Sequence, residues 1–245
     1  MRNRFISIAL SLMVWTMATL LPFPVVVAEE AAAYLPKDQI LVDGNVVYND
    51  AAVQKVLENN PRYSRYPMPA DFLSACKQLD LSSADEPVYD ISVLQLCTNL
   101  ETLVMDCSKL KSLAPLTWCT KLKSVTLYNV NTLSLEPLTQ ATNLTQLRLE
   151  GIVHDLRYVE SMPKLDTFIG IGLGDVDLAP VAAAPKLSTF SLDDNNSECD
   201  ISPIANARRL KVLGVANVKP DEFAAVVRAI RKTLQKAYIY DMAMS

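Results

Sequence analysis

The strongest constraint on the fold is a unit of the form L-x-x-L-x-L that recurs along most of the chain. Successive units are spaced by 21 to 24 residues, and the first apolar position is held in turn by Cys76, Leu100, Leu122, Leu144, Leu165, Leu187, Leu210 and Leu234. A unit this short cannot bury its own apolar face. Its repetition therefore predicts a solenoid in which neighbouring units share one continuous core.

A second motif, of the form [D/S]-[I/L]-x-P-[L/I/V], lies between consecutive units. Complete copies occupy residues 112–116, 134–138, 177–181 and 200–204, while Asp90-Ile91 and Asp155-Leu156 keep only its start. We expect each unit to form a short strand, a turn and a return segment too short for a regular helix. Strands stacked in parallel about 4.8 Å apart would form a concave sheet. The prolines would then lie on the convex side, where no ladder donor is needed.

Together, the two motifs resemble the 22-residue leucine-rich repeats of the internalin type, which are secreted bacterial adhesion proteins. The resemblance covers about residues 76–218. It implies an α/β solenoid that is curved, with a parallel concave sheet, irregular convex segments and capping helices at both ends.

The repeats depart from this pattern at the turn position that usually holds a stacking asparagine. The residues there are Ala84, Ser108, Val130, Ile152, Leu173, Asn195 and Val218, so only Asn195 keeps the amide. We therefore expect the turns to differ between units. Gly170 replaces an inward leucine, and we expect a local irregularity in the fifth unit.

The chain on either side of the repeats predicts capping structures, because a terminal unit exposes an apolar face. Residues 29–75 are predicted to form an N-terminal cap region that contains a helix capped by Asn49 or Asp50. Residues 219–245 are predicted to form a C-terminal helix-strand cap, in which Asp221 caps the helix.

The first 28 residues predict a signal peptide. Two arginines precede an unbroken apolar run over residues 5–21, and the small residue Ala28 provides a cleavage site. The alternative is an uncleaved anchor, because the apolar stretch could nearly span a bilayer. Pro22 and Pro24 favour cleavage, since proline is awkward in a membrane helix. We therefore expect a secreted or cell-surface protein, with membrane association only if the segment stays uncleaved.

The net charge and the residues that could support catalysis or metal binding argue against several functions. Removing residues 1–28 leaves 21 basic and 27 acidic residues, and this mildly acidic balance argues against nucleic acid as a partner. A single histidine, His154 in a convex turn, argues against a Ser-His-Asp enzyme and a His-rich zinc site. The glycines at 170–174 lack a phosphate-loop pattern, and the acidic run at 193–200 lacks calcium-loop spacing. We predict no enzymatic activity, no cofactor and no metal.

Cys97 and Cys119 occupy the same repeat position in adjacent units. The position continues along the chain with Ala141, Met162, Ala184 and Ala207, which indicates that it faces inward. A disulfide between adjacent coils is geometrically possible. Buried thiols that fill space are the alternative, and we favour them.

The candidate binding surface follows from the two-residue period of a strand, in which residues between the inward leucines face the concave side. One exposed column is predicted to contain Asp80, Val104, Thr126, Arg148, Ile169, Ser191 and Gly214, and the next Ser82, Asp106, Tyr128, Glu150, Ile171, Asp193 and Ala216. Tyrosine and arginine dominate binding hot spots, and an isoleucine pair adds an apolar patch. The predicted site is Asp106, Tyr128, Arg148, Glu150, Ile169, Ile171 and Asp193.

These features predict a module outside the cytoplasm that binds a protein or peptide ligand through its concave face. The alternative is a structural or self-assembling component of the cell envelope without a separate ligand. Surface residues of a repeat change freely on a constant scaffold, so the ligand is not encoded in the repeat pattern itself.

Overall fold

The computed structural model describes residues 37–42, 45–59, 69–131, 133–193 and 199–240. The predicted signal peptide, Asn195 and the centre of the acidic run lie outside the described residues. The described chain begins with short elements: α1 (Lys37–Ile40), β1 (Leu41–Val42), β2 (Asn45–Val46), α2 (Ala51–Asn59) and α3 (Ala70–Ser74). Strands β1 and β2 pair antiparallel.

An eight-stranded parallel sheet forms the body of the molecule, and its strands follow one another in chain order. They are β3 (Gln78–Leu81), β4 (Thr102–Asp106), β5 (Ser124–Tyr128), β6 (Gln146–Glu150), β7 (Thr167–Ile171), β8 (Thr189–Asp193), β9 (Val212–Ala216) and β10 (Lys236–Tyr240). Each strand begins two residues after the first apolar position of its unit. The predicted register and the curved α/β solenoid are therefore confirmed.

The alternation of inward and outward residues explains the core. In β6, Leu147 and Leu149 are buried, whereas Arg148 between them faces the concave surface and is half-buried. Leu147 pairs with Val125 on one side and Phe168 on the other, so equivalent residues stack along the solenoid axis. The rings of Phe168 and Phe190 continue this stack, with centroids 5.9 Å apart.

Six five-residue helices lie on the convex side of the described chain, as the length of the return segments predicts. Five are 3₁₀ helices and one is the α-helix α4: Ser92–Leu96, Ala114–Trp118, Glu136–Gln140, Arg157–Ser161, Ala179–Ala183 (α4) and Ser202–Asn206. In all six, the Asp or Ser side chain two residues earlier accepts a hydrogen bond from the first backbone N–H of the helix. This bond explains why the second motif begins with Asp or Ser, because the side chain satisfies a backbone donor that the helix leaves free.

The turn after the strand requires a left-handed residue in four units. Asn129, Gly151, Gly172 and Asn217 all have positive φ, and all lie seven residues after the first apolar position of their units. Glycine and asparagine tolerate this conformation best. The next residue varies, since Val130 is buried and Ile152 is exposed, so the turns differ as expected.

The expectation of an irregular fifth unit is wrong for its strand. β7 has full length, and Gly170 keeps register with Leu149 and Leu192. The missing side chain is replaced by Leu173, which is fully buried and points into the vacant space. A Cβ on Gly170 would lie 2.5 Å from Leu173 Cδ1.

Helices at both ends pack on the shared core. Asp50 rather than Asn49 caps α2, because its Oδ1 accepts hydrogen bonds from the N–H groups of Ala52 and Val53 at 2.9 and 3.1 Å. The helix α5 (Pro220–Ile230) buries two of its residues. Asp221 does not cap it, because Pro220 can begin the helix one residue earlier and places Asp221 inside the first turn. That these ends shield the solenoid stays a prediction.

Candidate binding surface on the concave face

Strand pairing brings the seven predicted site residues to one surface. Asp106 pairs with Tyr128 across β4 and β5, and Arg148 pairs with Ile169 across β6 and β7. Ile171 in β7 lies between Glu150 in β6 and Asp193 in β8. All seven side chains are half-buried.

Arg148 and Tyr128 form the centre of this surface. The guanidinium carbon of Arg148 lies 6.0 Å from the centroid of the Tyr128 ring, at the outer limit of a cation–π contact. Its Nη2 lies 3.7 Å from Oε2 of Glu150, which is too long for a strong charge-assisted hydrogen bond. Tyr128 and Glu150 therefore position the guanidinium, but neither of them makes a strong interaction with it.

Two polar atoms on this surface have no hydrogen-bond partner among the described residues. They are Nε of Arg148 and Oδ1 of Asp193, and solvent does not reach either of them. A buried polar group without a partner costs free energy, about 1–3 kcal/mol. The two atoms belong to β6 and β8, and the isoleucines of β7 lie between them. Arg148 and Asp193 therefore place opposite charges on either side of an apolar strip, although these two particular atoms are closed to solvent.

Asp106 lies at the edge of this surface and is held by the turns. Its Oδ1 accepts a hydrogen bond from the Ser108 N–H, and its Oδ2 accepts one from the Asn129 side-chain amide, both at 2.7 Å. Burial alone would raise the pKa of Asp106, and hydrogen bonds from Ser108 and Asn129 more than offset this and lower the pKa. Sequence reasoning missed Asn129, although an asparagine at the left-handed turn position was the available signal.

Two features of the predicted surface need correction. Gly214 and Ala216 were expected in the exposed columns but are buried, because both are small and have a strand on either side. Ile169 and Ile171 are half-buried rather than fully exposed, since larger side chains on β6 flank them. The apolar patch is therefore a narrow strip in a mostly polar surface.

The histidine and the cysteines of the described chain lie outside the concave surface. Cys97 and Cys119 are buried and free, which favours the interpretation as space-filling thiols. Cys119 Sγ donates to the Leu94 carbonyl at 3.4 Å, and burial raises the pKa of its thiol to about 12. His154 is exposed on the convex side. Within the described ranges no cluster of His, Cys, Asp or Glu could hold a metal ion.

Parallel strands, 3₁₀ return segments and a repeat of about 22 residues define the class: the chain is a leucine-rich-repeat protein whose repeats resemble those of internalins. The sequence matches no protein-family profile and no curated protein. An internalin (inlF) from Listeria monocytogenes superposes with a TM-score of 0.61 at 20% identity, over 83% of this chain and 57% of that one. The chain thus spans little more than half of that internalin. Internalin C2 from the same species superposes at 0.54 and 19% identity, over 82% of this chain and 99% of that one. Similarity at this level shows the fold.

Proposed function

We propose that the chain is a binding module outside the cytoplasm that recognises a protein or peptide through its concave face. The site consists of Asp106, Tyr128, Arg148, Glu150, Ile169, Ile171 and Asp193. The observation that carries the proposal is the guanidinium of Arg148, which belongs to a side chain that is 38% exposed, lies 6.0 Å from the centroid of the Tyr128 ring and reaches Glu150 Oε2 only at 3.7 Å. A ligand carboxylate or carbonyl can accept the hydrogen bonds that this guanidinium does not make to Glu150.

The spacing of Arg148 and Asp193 favours a peptide ligand. The two residues lie on strands separated by one intervening strand, and Asp193 is two residues further along its strand, so they are about 12 Å apart. An extended peptide covers this distance with about three to four residues and carries donors and acceptors along its length. Its side chains can contact the isoleucine strip and the Tyr128 ring.

A catalytic function has less support. The thiols of the described chain are buried, and burial holds the pKa of Cys119 far above neutral pH. The exposed histidine lies on the opposite side of the solenoid from the concave residues. A location outside the cytoplasm is supported by the amino-terminal sequence pattern. In the described chain, no helix combines the length and the apolar character required to cross a membrane.

The convex side provides a matched control for a binding experiment. Arg157 lies over the Tyr158 ring at the same 6.0 Å that separates Arg148 from Tyr128. The double variant Tyr128→Ala/Arg148→Ala therefore removes the same chemistry as Tyr158→Ala/Arg157→Ala, but from the opposite face. Immobilised full-length chain and both variants would be incubated with extract of the envelope of the source cells and with host extract.

The proposal predicts that captured ligands are retained by the wild type and by the convex double variant, and are lost from the concave double variant. Circular dichroism should show that all three chains are folded. Loss from the convex variant alone would place the site on the other face and overturn the proposal.

The open edge of the sheet favours a second candidate function, self-assembly. β10 ends the sheet, and Tyr238 and Ile239 on it are 42% and 37% exposed. An uncovered edge strand can pair with another chain. Light scattering coupled to size-exclusion chromatography distinguishes the two functions, because a defined oligomer that Ile239→Lys disperses would favour assembly.

A further inference from the structure

A pocket of about 450 Å³ lies at the edge of the sheet where the last strands begin. Four cationic side chains line it: Lys186, Arg208, Arg209 and Lys211. This volume lies within the range of small-ligand sites. The pocket is separate from the concave site, because it lies at the start of the strands, whereas Arg148 and Glu150 lie in the middle and at the end of theirs.

The segment that contributes most of this pocket is strongly basic, although the protein is acidic. Residues 206–240 contain eight Lys and Arg but only two Asp and Glu, a net charge of +6. The whole chain has a net charge of −4, so the rest of it carries −10. Such a separation of charge creates a local positive potential that attracts anions.

The cations of the pocket are stacked on one another and form no ion pair among the described residues, although one carboxylate lines the same pocket. Lys186 and Arg209 occupy the same repeat position in adjacent coils, and the backbone N–H of Lys211 donates to the Ser188 carbonyl at 2.8 Å. Within the described chain none of the four cations forms an ion pair. Asp166 lines the same pocket, but its Oδ1 accepts from the Ser188 hydroxyl at 2.6 Å. Like charges on neighbouring strands destabilise a sheet.

The lysines at the same edge have hydrogen-bond or ion-pair partners in the earlier coils. At the position of Lys186 and Arg209, Lys121 donates to Asn99 at 2.5 Å and Lys164 donates to Asn143 at 2.6 Å. At the position of Lys211, the equivalent residue of an earlier coil is Lys123, and it pairs with Glu101 at 2.5 Å. The last coils therefore depart from a pattern of partnered lysines that the rest of the solenoid follows.

We propose that this pocket binds a doubly charged tetrahedral oxyanion, a phosphate or sulfate group, held by Lys186, Arg209 and Lys211. Arginine presents a planar fork of donors that matches two oxyanion oxygens, and lysines supply point charges. The negative charge of the remaining chain repels an extended polyanion and favours a compact group. The group can belong to a small soluble ester or to a lipid headgroup.

The test measures binding of inorganic phosphate, inorganic sulfate and a monosaccharide phosphate to the full-length chain by isothermal titration calorimetry at constant ionic strength. The pocket variant is Lys186→Gln/Arg209→Gln. The matched control is Lys121→Gln/Lys123→Gln, which removes the same number of charges from the same edge of the sheet in an earlier coil. Vesicles of phosphatidylcholine with and without phosphatidic acid, a lipid with a phosphate monoester, test the lipid source.

The wild type is expected to bind phosphate or sulfate, and the pocket variant at least about tenfold more weakly, because each lost charge-assisted hydrogen bond contributes more than 1 kcal/mol. The control should stay within about twofold of the wild type. Retention on phosphatidic acid vesicles that phosphate competes away would assign the group to a headgroup, and binding of soluble anions alone would assign it to a small ester. No binding by the wild type at about 10 mM anion, or equal weakening in both variants, would overturn the proposal.

Discussion

Gly170 and Leu173 form a compensating pair, and their coupling can be measured. In Gly170→Ala, the added Cβ would lie 2.5 Å from Leu173 Cδ1, 2.9 Å from its Cγ and 3.2 Å from Leu192 Cδ1. Gly170 does not have positive φ, so alanine adds no backbone strain. The cost is therefore steric, and overpacking of a buried site costs about 1–3 kcal/mol.

The reverse change removes the side chain that fills the space. Leu173 is fully buried, and Leu173→Ala should cost about 2–5 kcal/mol, because a glycine opposite the cavity has no side chain to fill it. In this background the methyl group of Gly170→Ala enters vacated space. It also restricts the unfolded chain, so it should be neutral or stabilise by up to about 1 kcal/mol. Whether Gly170→Ala stabilises or destabilises the fold thus depends on whether Leu173 is present.

Urea unfolding of the wild type, both single variants and the double variant gives the coupling free energy. We expect a coupling of at least about 1 kcal/mol between Gly170 and Leu173. Gly172→Ala is the control, because a Cβ there meets nothing within 4 Å and its cost comes from a φ of 60°. That cost should be the same in both backgrounds. Equal costs of Gly170→Ala with and without Leu173 would refute the compensation.

Four further predictions follow from the structure. Leu147→Asp buries an unpaired charge and should lower the free energy of unfolding by several kcal/mol. Arg148→Ala should lower it by less than about 1 kcal/mol. Similar melting curves for the two variants would contradict the strand register. Ser112→Ala should cost about 1–3 kcal/mol by urea unfolding, because it frees a backbone donor at a buried position; no change would contradict this. Asp106 has a lowered pKa in the folded protein, so its carboxylate stabilises the fold above about pH 4, and this stabilisation is lost as pH falls through the folded pKa. The difference in unfolding free energy between the wild type and Asp106→Asn should therefore shrink on acidification. A difference that stays constant with pH would contradict the hydrogen-bonding role of the carboxylate. The exported protein should begin at Glu29 by intact mass, and full-length chain in membranes would favour the anchor.

The register of the sheet was predictable because it depends on local information. Inward residues alternate within each strand, so Leu147 and Arg148 could be assigned to opposite faces from the repeat alone. The return segments were predictable for the same reason, since proline and Asp or Ser act on backbone groups within two residues of themselves.

Features that depend on neighbouring coils were not predictable. Leu173 was expected at a polar turn position, and only packing against Gly170 explains why a leucine is buried there. The basic pocket combines residues about 22 positions apart, so Lys186 and Arg209 look like unrelated surface charges until the coils are stacked. Burial of Ala216 likewise depends on the strands on either side of it.

The central claim is that the concave face binds the ligand, and an affinity measurement on the captured partner tests it most directly. The dissociation constant would be measured for the wild type, Arg148→Ala and Arg157→Ala. Truncating a central arginine of an interface costs about 2 kcal/mol or more, so Arg148→Ala should weaken binding about thirtyfold, and Arg157→Ala by less than about twofold. Unchanged affinity in Arg148→Ala together with a large loss in Arg157→Ala would contradict the claim and place the binding site on the convex side.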